Sequence, residues 1–325
     1  MLTINKIFPQ EKIPEKTESF LFFDIETTGF SRDNTILYLI GCGYFAEEGF
    51  QFIQWFNDDG TSEEEILLAF QNILSKKDWQ LVTFNGNSFD IPYLKRHYDL
   101  NELTCDIEKY PSLDFYQFLK PFQNLFQMTH GKQKDWEQFL DLNREDKYDG
   151  GQLIAVYKDY LMSKDKDLLH NLLLHNEDDL LGMKYLLPLF SYRQIFLEDI
   201  TLQRIAPANK VFERGNGSIA ISCRLPLPLP QPLEVSTPIG DLFSDKKDLS
   251  ILTITLPFVE DVLNIFTKTI TIIIIFQKRN GRFIKVSAAM LNANTAGQQK
   301  LLPAMSKKKE SSCRFQKRRN ILEYR

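Results

Sequence analysis

An apolar run, Phe20-Leu21-Phe22-Phe23, ends directly in Asp24-Ile25-Glu26. The run predicts a buried strand. Two acids spaced by two on a strand share one face. Carboxylates at the end of a buried strand are costly unless they are paired or bind cations. A solvated strand end satisfies the same pattern, so the pair alone leaves both readings open.

The neighbouring segments set the fold class. Thr35 to Phe45 is rich in β-branched and aromatic residues, and Phe50 to Phe56 alternates as a half-buried strand does. With turn residues between them, these segments predict three strands in hairpin succession. Thr61-Ser62 opens a helix with Glu63 to Glu65 in its first turn and an apolar stripe from Ile66 to Leu74. Trp79 to Phe84 predicts a fourth strand, and Asn85-Gly86-Asn87-Ser88 a turn that leads into a helix reaching about His97. From Leu113 to about Phe190 the pattern is helical, most clearly from Gly150 to Met162 and from Leu168 to Leu187. Strands, then alternation, then helices predict a mixed α/β sheet flanked by helices.

Four regions follow. Residues 1–19 read as an irregular lead-in and 20–192 as the α/β domain. Residues 193–248 read as an irregular linker, in which Pro226, Pro228, Pro230 and Pro232 alternate with leucines. Residues 249–325 read as a β-rich region whose last 26 residues carry nine Lys/Arg against two Glu. That basic tail reads as a solvated segment or a phosphate-contacting arm. A poorly folded distal segment is also compatible with the abrupt change in character.

Over 325 residues the formal net charge is −4, so no global positive field draws in a polyanion. Four widely spaced cysteines without a CxxC pair argue against a zinc ribbon or a disulfide framework, and a reducing cytoplasm is expected. The N-terminus lacks the apolar core of a signal peptide, and no apolar run approaches the roughly 20 residues that span a bilayer. No membrane partner is expected.

Two further sites carry chemistry. Asp90 follows the fourth strand in Asn85-Gly86-Asn87-Ser88-Phe89-Asp90, as an ordinary first-turn acid or as a group near the strand ends where α/β sites gather. His175-Asn176-Glu177-Asp178-Asp179 lies inside a helix. His175 and Asp179 share a face at i,i+4, and Asp178 at i+3 also reaches it. A solvated polar patch is the alternative. Acids from separate elements plus a histidine suit two-metal phosphodiester hydrolysis, with the histidine orienting or deprotonating the attacking water.

The ordered motifs resemble those of the ribonuclease H-like 3′–5′ exonucleases of the DEDD superfamily, and more narrowly the YprB-like branch of predicted exonucleases. The resemblance runs from about residue 20 to 190. It implies a mixed five-stranded sheet flanked by helices. Phe23 to Gly29 is similar to the first motif, implying metal-binding roles for Asp24 and Glu26. Asn85 to Asp90 is similar to the second and implies the same for Asp90. His175-x-x-x-Asp179 is similar to the third, with Asp179 as ligand. Leu113-Asp114-Phe115 and Leu142-Asn143-Arg144 also resemble family segments. Superfamily members with a histidine usually place it five residues before the last aspartate. Here it stands four before Asp179, where tyrosine is usual. Asp178 as ligand would give a spacing of three, so Asp179 is preferred.

The expected function is metal-dependent 3′–5′ exonucleolytic hydrolysis of DNA or RNA, with two Mg²⁺ or Mn²⁺ ions as cofactors and a single-stranded end as partner. The catalytic candidates are Asp24, Glu26, Asp90, His175 and Asp179. Thr27, Thr28, Gly29, Asn87 and Phe89 are candidate substrate contacts; the Thr-Thr-Gly turn lets the backbone approach a nucleotide, and Phe89 with Tyr93 can line a stacking groove or sit in the core. A non-catalytic nucleic-acid-binding module, or an endonuclease or phosphoesterase on the same scaffold, is the alternative.

Overall fold

The computed structural model describes residues 1–9, 14–123, 125–126, 128–196, 200–211, 217–258, 273–277 and 283–287. The chain opens with a strand, β1 (Leu2–Phe8), where the sequence predicts an irregular lead-in. Its side chains are mostly exposed, so no apolar alternation marks it. It is a strand because its backbone pairs antiparallel with a later one, Leu2 opposite Phe56 and Phe8 opposite Phe50.

The expected hairpins form as β2 (Phe20–Thr27), β3 (Leu37–Ala46) and β4 (Gly49–Phe56). Their register sets Asp24 opposite Gly41, and Gly41 opposite Gln54. On the other edge of β2, β5 (Gln80–Thr83) and then β6 (Ser112–Asp114) add in parallel. The sheet order is β1-β4-β3-β2-β5-β6, six strands where five are expected, and β1 is the addition.

Helices cover both faces. α1 (Glu63–Leu74) and α2 (Asp90–Leu100) pack Ile66, Leu67, Phe70, Ile91 and Leu94 into one cluster with Leu21, Phe23 and Ile25 of β2. Successive strand residues point to opposite faces, so Phe22, Asp24 and Glu26 face the other side. After α3 (Phe115–Gln123) and α4 (Gln133–Phe139) come α5 (Gly150–Ser163) and α6 (Lys166–Tyr185). From these last two, Leu153, Tyr157, Tyr160 and Leu172 cluster with Tyr38, Leu39 and Phe56. Asp149 and Gln152 cap α5 reciprocally at 2.9 Å each.

The chain divides into two compact units. The first is Met1–Ile200 with Arg224–Val235 and Phe243–Leu252; the second is Thr201–Cys223, Ser236–Leu242 and Thr253–Arg325. The expected irregular linker at 193–248 instead contains β7 (Thr201–Ala208), β8 (Gly217–Arg224), β9 (Glu234–Thr237) and β10 (Gly240–Ser244). With β11 (Ile251–Phe258) they form a sheet of order β7-β8-β11-β10-β9. The proline–leucine stretch is not a spacer either. Leu225, Leu229 and Leu233 are buried, and the Tyr192 hydroxyl and Gln194 amide donate to the carbonyls of Gln231 and Leu227 at 2.8 and 2.6 Å. Beyond residue 249, the described elements are β11 and the antiparallel pair β12 (Ile273–Gln277) and β13 (Phe283–Ser287). The basic tail lies outside the described residues. Among those residues no helix is long and apolar enough to cross a membrane.

Candidate active site

β2 delivers Asp24 and Glu26 to the face that α6 covers. The parallel pairing of β2 with β5 ends at Phe22 opposite Val82. Beyond it Asp90, the first residue of α2, takes over from the strand: the Ile25 N–H donates to Asp90 Oδ1 at 3.3 Å. The loop before α2 is held by Asp114 at the end of β6. Its carboxylate accepts the backbone N–H groups of Asn85, Asn87, Tyr116 and Gln117 at 2.8, 3.2, 2.9 and 3.4 Å. Asn85 has a φ of 68°, a left-handed conformation that asparagine tolerates better than most residues.

α6 closes the site with three side chains. The Asn176 amide donates to Asp24 Oδ2 at 2.9 Å and its oxygen accepts from Gln54 Nε2 at 2.9 Å. It sits directly on Gly41, where a Cβ would stand 1.9 Å from Asn176 Oδ1. One turn of helix places His175 beside Asp179. His175 Nδ1 is 2.8 Å from Asp146 Oδ2; Nε2 is 3.4 Å from Asp179 Oδ2 and 3.7 Å from Glu26 Oε1. One ligand atom from each of Glu26, His175 and Asp179 lies within 4.8 Å of the other two.

The two neighbouring aspartates separate clearly. Asp178 accepts the backbone N–H groups of Glu145 and Asp146 at 3.0 and 2.8 Å, so it braces the loop that carries Asp146. Asp179 turns into the cluster. Its Oδ1 pairs with Arg144, which in turn lies 3.4 Å from the buried Glu137, and its backbone carbonyl accepts from Gln133 at 2.7 Å.

The electrostatics follow from crowding. Burial, then repulsion from Asp179 and Asp90, pushes the Asp24 and Glu26 carboxyls well above the usual range; at Asp24 the Asn176 amide opposes this. Burial pushes Asp90 up to about 7, with backbone N–H groups opposing and Asp114 and Asp179 adding to the rise. Asp146 behaves oppositely. Burial disfavours its charge, but the Tyr148 N–H, His175 and Lys134 outweigh burial and hold the carboxyl below its ordinary value. A buried group of carboxylates that repel one another is the electrostatic condition that a bound cation relieves. The donors, hard carboxylate oxygens plus one imidazole nitrogen, suit a small divalent ion.

The candidate substrate contacts lie around this cluster, several of them already engaged. Thr27 Oγ1 donates to the Gly29 carbonyl at 2.7 Å and Thr28 Oγ1 accepts from the Ile36 N–H at 2.9 Å, so both hydroxyls build the turn. Asn87 Oδ1 accepts from Ser112 at 2.6 Å. Phe89 contacts Tyr93, which is fully buried, and Phe30, which is 88% exposed. Sequence reasoning did not single out Asn176, Asp146 or Glu137, nor give Arg144 a role. Asn176 adjoins His175 in the chain, which is a usable signal; nothing local marks Asp146.

A profile of the RNase H superfamily matches residues 21–190. Over 181 residues the chain is 27% identical to YprB of Bacillus subtilis (strain 168), an uncharacterised protein, covering 51% of this chain but only 40% of that protein. Among solved structures, the family B DNA polymerase of Pyrobaculum calidifontis is similar with a TM-score of 0.40 and 17% identity, over 55% of this chain and 26% of that one. A zinc-bound complex of E. coli exonuclease I with single-stranded DNA follows with a TM-score of 0.32 and 12% identity, over 63% and 54%. The profile spans the six-stranded sheet from β2 onward, its flanking helices and every residue of the acidic cluster, and on that match the chain belongs to the RNase H superfamily.

Proposed function

We propose that the protein is a metal-dependent 3′–5′ exonuclease that hydrolyses phosphodiester bonds of DNA or RNA with two divalent ions, Mg²⁺ or Mn²⁺. The observation that carries this reading is the convergence of Asp24, Glu26, Asp90 and Asp179 from three separate elements. Burial first, and then repulsion among neighbouring acids, raises the carboxyls of Asp24, Glu26 and Asp90. Bound divalent ions would supply the positive charge that lets a phosphodiester approach these acids and would acidify the attacking water.

The chain's own residues do the rest. Asn176 fixes one oxygen of Asp24 and so orients the carboxylate. Arg144 pairs with one oxygen of Asp179 and brings a guanidinium, a group suited to a phosphate, to the acidic cluster. Exposed Phe30 against Phe89 offers a ring face on which a terminal base can stack. Polarity toward the 3′ end and the nucleic-acid partner come from the motif resemblance. Cytoplasmic residence belongs to the same reading and rests on the wide spacing of the four cysteines in the sequence.

The test is the release of mononucleotides from an end-labelled single strand with Mg²⁺ or Mn²⁺. Wild type is expected to release them and Asp24→Ala to lose at least about 100-fold in rate. Equal rates in the two proteins would remove the site assignment. Cleavage of a closed circular strand would replace the exonuclease reading with an endonuclease one.

A further inference from the structure

We propose that His175 is itself a metal ligand through Nε2, held by Asp146, so that Glu26, His175 and Asp179 form a mixed nitrogen–oxygen site that favours a divalent first-row transition ion over Mg²⁺. This rests on the metal-dependent reading above and goes beyond it, because it gives the histidine a place in the coordination shell instead of a base's role in solvent.

Geometry carries the inference. His175 is 6% exposed, so its ring is fixed inside the protein. Nδ1 is used by Asp146 at 2.8 Å. Nε2 makes no hydrogen bond among the described residues and points between two carboxylates, 3.4 Å from Asp179 Oδ2 and 3.7 Å from Glu26 Oε1. Two ligands about 2.1 Å from one ion, at angles between octahedral and tetrahedral, stand about 3.0–3.4 Å apart. The two separations from Nε2 are close to such edges, and the Glu26 and Asp179 oxygens lie within 4.8 Å of each other, a distance that a shared ion would draw in. Asp179 offers the oxygen that Arg144 does not use, since Arg144 pairs with Oδ1 and the histidine faces Oδ2.

The surroundings of Asp146 point the same way. A metal-ligating histidine almost always donates its other ring N–H to a carboxylate, a carbonyl or water, which fixes the tautomer and strengthens the ligand. Here the carboxylate is buried. It is anchored by the Tyr148 N–H at 2.9 Å and Lys134 at 3.1 Å, and its own backbone is held by Asp178. An imidazole nitrogen in the shell is unfavourable for Mg²⁺, which demands oxygen ligands, and is accepted by transition ions.

The experiment is Mn²⁺ titration of the full chain without nucleic acid, followed by electron paramagnetic resonance with pulsed detection of coordinated nitrogen. Wild type is expected to show nitrogen modulation from one imidazole. His175→Gln should lose that modulation and bind Mn²⁺ at least about 10-fold more weakly, with Mg²⁺ binding little changed. Asp146→Asn should keep the modulation while weakening Mn²⁺ binding by about 10-fold; melting curves confirm that both variants are folded. Bound Mn²⁺ without nitrogen modulation, or equal Mn²⁺ affinity in wild type and His175→Gln, overturns the ligand assignment and leaves the exonuclease reading intact. No Mn²⁺ binding by wild type overturns both.

Discussion

At the scale of single residues, Asn176 shows how an unremarkable amide can organise an acidic site. It is fully buried and bridges Asp24 to Gln54 across Gly41. Asn176→Ala removes both bonds and leaves one Nε2 hydrogen of Gln54 unpaired beneath the helix, the other still donating to the Leu173 carbonyl. Each buried polar group left unpaired costs about 1–3 kcal/mol, so urea unfolding should show a loss of that order. Gly41→Ala should destabilise similarly, because its Cβ would collide with both Asn176 and Leu180. If either variant unfolds at the wild-type urea midpoint, the bridge contributes no stability. Asp90 makes a prediction about pH. Its carboxyl rises from the ordinary range near 4 to about 7, so the fold favours the neutral form. The stability this group contributes is full below about pH 4 and is lost as pH rises through about 7. Metal-free protein should therefore melt at a lower temperature at pH 8 than at pH 5.5, and Asp90→Asn should flatten that dependence.

At the scale of elements, the site is a meeting of one strand end and two helices, and loops fix the meeting angles. Asp114 collects four backbone N–H groups and thereby sets where α2 begins. Asp114→Ala should cost at least about 2 kcal/mol. It should also depress turnover more than substrate affinity, because Asp90 would lose its aim. Steady-state kinetics against a labelled strand separates the two; a change in KM alone would point to substrate binding instead. The approach of α4 to α6 depends on Gly182 in the same way. A Cβ there would lie 1.9 Å from Glu137 Oε1, within the group that holds Arg144 against Asp179.

At the scale of the molecule, the acidic cluster and the late proline–leucine stretch each couple stability to something outside the first 200 residues. Divalent ions should raise the melting temperature, and chelation should lower it most above pH 7, where the cluster is most fully charged. An equal effect of chelator at pH 5.5 and pH 8 would contradict this. Truncation after residue 200 removes Leu225, Leu229 and Leu233 from the first unit. Each fully buried leucine is worth about 1.5–3 kcal/mol, so the truncated chain should melt several degrees below the full one. A melting temperature equal to that of the full chain would make the stretch the spacer its prolines suggest.

The sequence by itself determined the hairpins, α1, α5, α6 and the strand carrying Asp24 and Glu26. Those follow from apolar periodicity and turn residues, which act over a few positions. The candidate residues for the third motif were also legible, because i,i+4 spacing on a helix is local geometry. Tertiary structure decided the rest. β1 exists through its pairing with β4 and has no apolar pattern to announce it. The strands of 193–248 pair within a sheet whose order no local signal encodes. That Asp178 faces a loop over thirty residues away in sequence while Asp179 faces the acidic cluster is likewise a matter of packing. Asp146, Arg144 and Asn176 acquired their places beside the acids only when α6 settled on Gly41, because a contact between distant residues is fixed by packing and not by spacing.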